Sequence, residues 1–542
     1  MAAGARPVSM GWRRWGIAGW LPGGAAALAL VALYALAVAG LLGVAGGPGG
    51  FDPFDPYVLS ILRFSLIQAG LSTLLSLALG APLALALARR QFPGRDGLIK
   101  AMAIGFVTPV IVAVLGIVAV HGRAGWLNQG LGLIGLDGGT YLYGLPGILI
   151  AHVFFNAPLA ARIFLQTLQA QPAAHWRLAA GLGMPPGAIF RLIDWPVLRR
   201  EAPGIAALIF LLCFTSFATV LTLGGGPAAQ TLEVAIYQAL AFELDFQRAL
   251  ALSAVQIALC LLLTLGLSAF GTRPAEIDAP VAEIARPDRA APATRLLDGV
   301  VFLIAAVILL PPALAILLRG LSLQGFSILA DPNLLRATLG SLQVAIPAGL
   351  IALLIGFGLA WTARHARLSG HPHLARLPAL IASIALVAPP FVLAAGLFAA
   401  LVGKANPLAL GPVLVPLVNG IMAAPFVFRL VGPALDRAGE RHDRLCRGLG
   451  IRGLARLIWI DWPAIRRAVG MGLAIATAFS LGDFGVIALF GGQDFTTLPH
   501  LVYRLMGSYR LAEAGSTALV LLLLIGLLFW LLETLIAGRR HA

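Results

Sequence analysis

Arg177–Arg200 reads RLAAGLGMPPGAIFRLIDWPVLRR, and Arg444–Arg467 reads RLCRGLGIRGLARLIWIDWPAIRR. Both carry RL, GLG, IDWP and RR in one register, at a constant offset of 267 residues. The offset reaches outward: Pro158 matches Pro425, Arg162 matches Arg429, Phe217 matches Phe484 and Gly224 matches Gly491. After one deletion it continues, with Thr231-Leu232 matching Thr497-Leu498 and Tyr237 matching Tyr503. A self-match this long marks an internal duplication, and a fold reading that misses one goes wrong from the start. Within each copy, the stretch opening at Arg177 or Arg444 reads as a short amphipathic helix. Gly183 or Gly450 ends it in the left-handed conformation common after a helix C-terminus. Ala179 and Ala180 keep that helix low enough to dock into a cleft on another protein. The stretch Ala188–Ile193 then leads to Pro196, whose missing N–H is harmless at the start of a helix.

The surrounding composition places these loops between membrane spans. The chain has 542 residues, 59% hydrophobic and only 11% charged, with 38 Lys and Arg against 23 Asp and Glu for a net charge of +15. Soluble domains carry roughly 25% charged residues. So sparse a charge excludes a soluble basic enzyme, a disordered chain and a nucleic-acid binder, and it implies contact with membrane lipid. The fold class expected is all-α and polytopic, with about twelve transmembrane helices. Apolar runs near the length of a spanning helix cover 24–46, 58–87, 101–121, 145–168, 203–223 and 249–270. Six more cover 296–318, 338–362, 377–401, 410–432, 468–490 and 516–537. Gly271–Arg295, polar and rich in Pro and Ala, reads as a linker between the two sets. Cys213, Cys260 and Cys446 form neither a disulfide framework nor a metal-type spacing.

Orientation follows from the basic residues. With the N-terminus cytoplasmic, inner segments hold 28 of the 38 and outer segments 7, while Arg63, Arg162 and Arg429 lie inside predicted helices and snorkel from their ends. Both termini are therefore expected on the cytoplasmic side. The repeated loops fall there too, and eight arginines crowd Arg437–Arg467.

The loop spacing is Gly, nine residues, Ile, one residue, Trp, Pro. It resembles the EAA loop of ABC importer permeases, in which a Gly is followed after nine residues by I-x-L-P. Ala179, Gly183, Ile193 and Pro196 match that pattern, as do Gly450, Ile460 and Pro463. Arg177 and Arg444 stand where the family has Glu, and Trp195 and Trp462 where it has Leu. Further stretches are similar to the thiamine and thiamine diphosphate branch: RFSLIQAGLSTLLS from Arg63, RRQFPGR from Arg89, HVFFNAPLAAR from His152, SFATVLTLGGGP from Ser216 and GDFGVIALFGGQDFTTLP from Gly482. The resemblance spans nearly the whole chain. It implies two permease domains of the type I importer kind, 57–270 with a coupling loop at 169–202 and 334–537 with a coupling loop at 433–467. Around them lie a cytoplasmic N-terminus (1–23), a first helix (24–46), a cytoplasmic linker (271–295) and a seventh helix (296–318). It also implies two separate ATP-binding subunits on the inner face, a periplasmic thiamine-binding protein, and placement in a bacterial inner membrane. The iron(III) branch shares the loop and is the alternative substrate class.

Four residues stand out along the expected path. Asp483 lies in an apolar run, where a carboxylate is costly enough to suggest function; it either attracts a cationic substrate or pairs locally and caps backbone. Its repeat partner is Ser216. His152 and Asn156, one turn apart, either line the path or bond neighbouring helices. Nothing else supplies an enzyme: there is no G-x-x-x-x-G-K-[ST], H-E-x-x-H, G-x-S-x-G or Cys/His cluster. The chain is expected to hold no catalytic residue, no metal and no cofactor, with ATP bound by the partner subunit.

Overall fold

The computed structural model describes residues 19–44, 55–105, 108–136, 139–226, 229–269, 286–371, 373–387, 389–451, 453–492 and 494–537. Readings that fall on 1–18 and 271–285 lie outside these residues. Among the described residues every regular element is helical. In order they are α1 (Leu21–Val44), α2 (Pro56–Arg89), α3 (Arg95–Gly105), α4 (Val110–His121), α5 (Trp126–Leu133), α6 (Leu145–Gln169) and α7 (Ala173–Gly181). Next come α8 (Pro186–Ile189), α9 (Trp195–Phe214), α10 (Phe217–Leu223), α11 (Leu232–Ala241), α12 (Phe246–Ala269), α13 (Pro292–Gly320) and α14 (Pro332–Leu368). The rest are α15 (Leu377–Val387), α16 (Pro390–Leu401), α17 (Gly411–Gly448), α18 (Gly453–Arg456), α19 (Trp462–Gly482), α20 (Gly485–Phe490), α21 (Leu498–Gly507) and α22 (Leu511–Ala537).

Ten helical runs among the described residues are long and apolar enough to cross a membrane, or eleven if the α9–α10 pair, bent by 55°, counts as one. The sequence suggests twelve. The difference has a steric cause. The run 377–401 breaks into α15 and α16 around Pro389-Pro390, where a ring replaces the N–H and clashes with the preceding turn. Its pieces of 11 and 12 residues each fall short of the roughly 20 needed to span. The run 101–121 also divides, α3 ending at Gly105 and α4 starting behind Pro109, but Val110–Leu133 remains one of the ten. The run 468–490 ends its long helix at Gly482 and resumes as the short α20, while Leu457–Gly482 remains one of the ten.

The first helix of each set packs on the opposite set. α1 lies against α14 and α16, and α13 lies against α4 and α2. Glycine permits the approach: a Cβ at Gly396 would stand 2.5 Å from the Ala37 carbonyl oxygen, and one at Gly116 would stand 2.5 Å from that of Pro312. Membrane helices gain van der Waals contact where small residues let backbones meet. A Gly116→Leu, Gly396→Leu double variant should therefore separate α13 and α1 from the bundle. Limited proteolysis of membranes should then show cleavage that the parent resists; an unchanged pattern would refute this packing.

Candidate functional site: twin loops and a polar pocket

The duplication persists in backbone geometry. Gly183 and Gly450 have φ of +59° and +66°, in the region glycine enters freely. Both helix ends close alike. The Met184 N–H donates to the Ala179 carbonyl at 3.0 Å, and the Ile451 N–H donates to that of Cys446 at 2.9 Å. That wrap satisfies carbonyls that would otherwise lack a partner. Past the glycine, both chains pass through a π-turn, Phe190–Asp194 in the first copy and Leu457–Asp461 in the second. The helical path thus runs on into α9 and α19 instead of restarting at Pro196 and Pro463. The wider turn gives room for a proline ring that would clash with the carbonyl one turn back.

The copies differ on one side. Pro172 caps α7 and cuts it from α6, so the first loop opens with a separate short helix. The matching residue is Gly439, and α17 continues unbroken for 38 residues, from Gly411 at the start of the expected span 410–432 to Gly448 in the second loop.

Arg177, Arg444, Gly183, Gly450, Trp195, Trp462, Pro196 and Pro463 are all exposed, while Ile193 and Ile460 are half-buried. Ala179 is not at the surface: it packs with Trp176 and Ile189, so Ala180 alone of the pair faces outward. Composition hid another feature. Leu178 and Leu182 in one copy, and Leu445 and Leu449 in the other, are each more than half exposed. Leucines four apart share a helix face, so each loop presents the same apolar knob.

Beneath both knobs lies a buried aspartate that the IDWP match contains but spacing alone does not single out. Asp194 and Asp461 are fully buried. Arg286 grips Asp194 through two bonds, at 3.0 and 2.7 Å, while also bonding Asp288 and stacking 4.2 Å from the Trp176 ring centre. Burial opposes the Arg286 charge, yet the carboxylates of Asp288 and Asp194 outweigh it and hold its pKa above the usual arginine value. The cluster extends to α2 and α13, where Asp298 accepts from Arg89 at 2.7 Å and from Arg90 at 2.6 Å. The last described part of the expected linker is therefore a buried strap tying the first loop to the bundle. The second loop is held differently: Arg364 of α14 reaches Asp461 at 3.0 Å, and Arg456 of the loop itself pairs with Asp443 at 2.8 Å.

At the far ends of α9 and α19, roughly 30 Å from the loops at 1.5 Å per residue, both helices break next to a repeated pair, Ser216-Phe217 and Asp483-Phe484. The two phenyl rings stack at 6.1 Å. Tyr237, Tyr503 and Phe391 surround them, with Phe391 4.9 Å from Phe217. This aromatic cluster joins the copies at the point where the offset pairs their residues.

His152 and Asn156 are both buried. His152 Nδ1 bonds the Ser72 hydroxyl at 2.9 Å, and the Asn156 amide donates to Cys213 Sγ at 3.3 Å, so both hold α6 to its neighbours. Applying the 267 offset to them points to Asn419 and Ala423, which do line a cavity, about 180 Å³ in volume, with Asp483, Ser480, Phe426 and Phe479. Asp483 caps backbone there, its Oδ2 accepting from the Val486 N–H at 3.2 Å. Among the described residues no group of His, Cys, Asp and Glu is placed to hold a metal ion.

Comparison with known proteins decides which importer branch these features belong to. The thiamine transport system permease protein ThiP of Brucella abortus (strain 2308) is 42% identical over 487 residues, covering 90% of this chain and 89% of that protein. That of Escherichia coli (strain K12) is 41% identical over 488 residues, with coverage of 89% and 90%. The chain belongs to the thiamine transport system permease family. The ThiP of Haemophilus influenzae, at 37% identity over 480 residues, extends the match to a more distant member. No family model matches the chain. None of these three relatives is an iron permease, so the iron(III) alternative finds no support in them. For a member of the thiamine transport system permease family, the twin loops and the aromatic cluster lie at the two ends of one set of helices, about a membrane's thickness apart.

Proposed function

We propose that this chain is the membrane permease of an ABC importer that carries thiamine and its phosphates across a bacterial inner membrane. The observation that carries the proposal is near-full-length identity of about 40% to permeases of thiamine transport systems. Two permease halves share the chain, 57–270 and 334–537, with twelve crossings when the proline-broken runs count as spans and with both termini cytoplasmic. The duplicated loop geometry supports that division.

Two copies of an ATP-binding subunit dock on the coupling loops, and a periplasmic thiamine-binding protein delivers substrate from outside. No cofactor belongs to this chain, and ATP is bound and hydrolysed by the partner. Closure of the two ATP-binding subunits draws the loops together. α9 and α19 carry that movement outward along continuous helices, and the aromatic cluster around Phe217 and Phe484 separates to admit substrate. Exposed Leu182 and Leu449 are the contact points. Leu182→Cys and Leu449→Cys variants should each cross-link to cysteines placed in a surface cleft of the ATP-binding subunit, and ATP should change the yield. Absence of cross-links at both positions in an assembled, transporting complex would refute the docking assignment.

A further inference from the structure

The cavity between α16, α17 and α19 has a chemistry that its counterpart in the other repeat lacks. Asp483, Asn419 and Ser480 contribute a carboxylate, an amide and a hydroxyl, and Phe426 and Phe479 contribute two rings, 4.9 Å apart at 36°. At the 267 offset the first repeat has Ser216, His152, Cys213, Leu159 and Leu212. No carboxylate stands there, leucines replace the two phenyl rings of Phe426 and Phe479, and His152 and Cys213 are already bonded to Ser72 and Asn156. The two sides of the duplicated frame thus differ in chemistry at this place.

The bonds within it leave a charge unanswered. The Asn419 amide faces both the Ser480 hydroxyl, at 3.1 Å, and the Asp483 carboxylate, whose Oδ2 also caps Val486. These are neutral donors. Among the described residues no Arg, Lys or His nitrogen pairs with Asp483, whereas the buried Asp194, Asp298 and Asp461 each have an arginine. An intramembrane carboxylate without a fixed counter-ion is stabilised by a cation that arrives, and ring faces attract a cation further. Site strength matters as well, because a transit site must release what it binds. One carboxylate, already bonded to the Asn419 amide and to the backbone N–H groups that open α20, suits that need better than an acidic cluster would.

We propose that this pocket is a transit site for a flat organic cation, the thiazolium ring of thiamine, with Asp483 as its counter-ion and Phe426 and Phe479 as its walls. The proposal rests on the thiamine reading above. A volume of about 180 Å³ accommodates one heteroaromatic ring, so the aminopyrimidine and any phosphate lie outside the pocket.

The test uses the complete transporter, with its ATP-binding subunits and binding protein, in proteoliposomes. Uptake of thiamine is compared with that of 3-deazathiamine, in which a neutral thiophene replaces the thiazolium. Both substrates meet the same binding protein, so a change in their ratio between variants reports the permease. Asp483→Asn should lower the thiamine-to-deazathiamine uptake ratio by about tenfold, the scale of one charge–charge contact in a partly wet site. Phe426→Leu, which installs the residue found in the first repeat, should lower the same ratio by about threefold through loss of a ring face. It also decides the matter if Asp483→Asn fails to assemble. An unchanged ratio in an assembled variant, or an equal fall for both substrates, overturns the pocket assignment alone. A parent complex that moves no thiamine overturns the transport reading, and this assignment with it.

Discussion

Replacing Gly183 and Gly450 together with valine should abolish uptake while leaving the chain inserted in the membrane. Both glycines sit at positive φ, and each closes the helix that carries an exposed leucine pair. Valine is branched at Cβ and resists that conformation, so each site would store roughly 1–3 kcal/mol of strain or, more readily, open the turn. Space is not the obstacle, because a Cβ at either position would meet nothing within 4 Å. The loss is therefore specific to backbone conformation. Gly183→Asn and Gly450→Asn, which tolerate the left-handed region better, should retain much more uptake than the valine pair. Membrane insertion, followed by protease accessibility, should match the parent in each of these variants. A double valine variant that transports at the parent's rate would remove the coupling loops from the account.

The second large effect concerns the strap. Arg286→Ala should destabilise the transporter by about 3–5 kcal/mol, because it leaves Asp194 buried without its partner and disturbs Asp288 and Trp176. The exposed pair Arg367–Asp436 provides the contrast: Arg367→Ala should cost only about 0–1 kcal/mol, since water screens that contact. Removing both charges as Arg286→Met with Asp194→Leu should recover most of the stability, as apolar replacement of a buried pair often does. Recovery of uptake should lag behind, because the strap would no longer hold the loop to α2 and α13. Thermal inactivation of the detergent-solubilised protein and uptake in proteoliposomes separate the two quantities. An Arg286→Ala protein as stable as the Arg367→Ala protein would show that the buried cluster does not anchor the loop.

The sequence exposes the loops clearly because their chemistry is local. Gly183 and Gly450 end helices for reasons contained within a few residues, and IDWP repeats letter for letter. The count of spans was harder, because a hydropathy window does not feel the Pro389-Pro390 break inside 377–401, and the apolar run looks continuous across it. Pro172 against Gly439 is a single difference between the copies, yet it decides whether the loop opens with its own helix. The partners of Asp194 and Asp461 were illegible for another reason: Arg286 lies 92 residues from Asp194 and Arg364 lies 97 from Asp461, joined only by the packing of distant helices. His152 and Asn156 were visible as polar groups in an apolar helix, but whether such groups face a path or a neighbouring helix depends on rotation that periodicity does not fix. The duplication itself held the missing signal, since carrying His152 forward by 267 lands on Asn419, in the pocket with Asp483.

One transport measurement tests the thiamine reading most directly. The chain, assembled in proteoliposomes with the proposed ATP-binding subunits and binding protein, should accumulate radiolabelled thiamine only when ATP is supplied on the loop side. Excess iron(III) should leave that uptake unchanged. Accumulation of iron(III) in place of thiamine, or thiamine entry that proceeds equally without ATP, would contradict it.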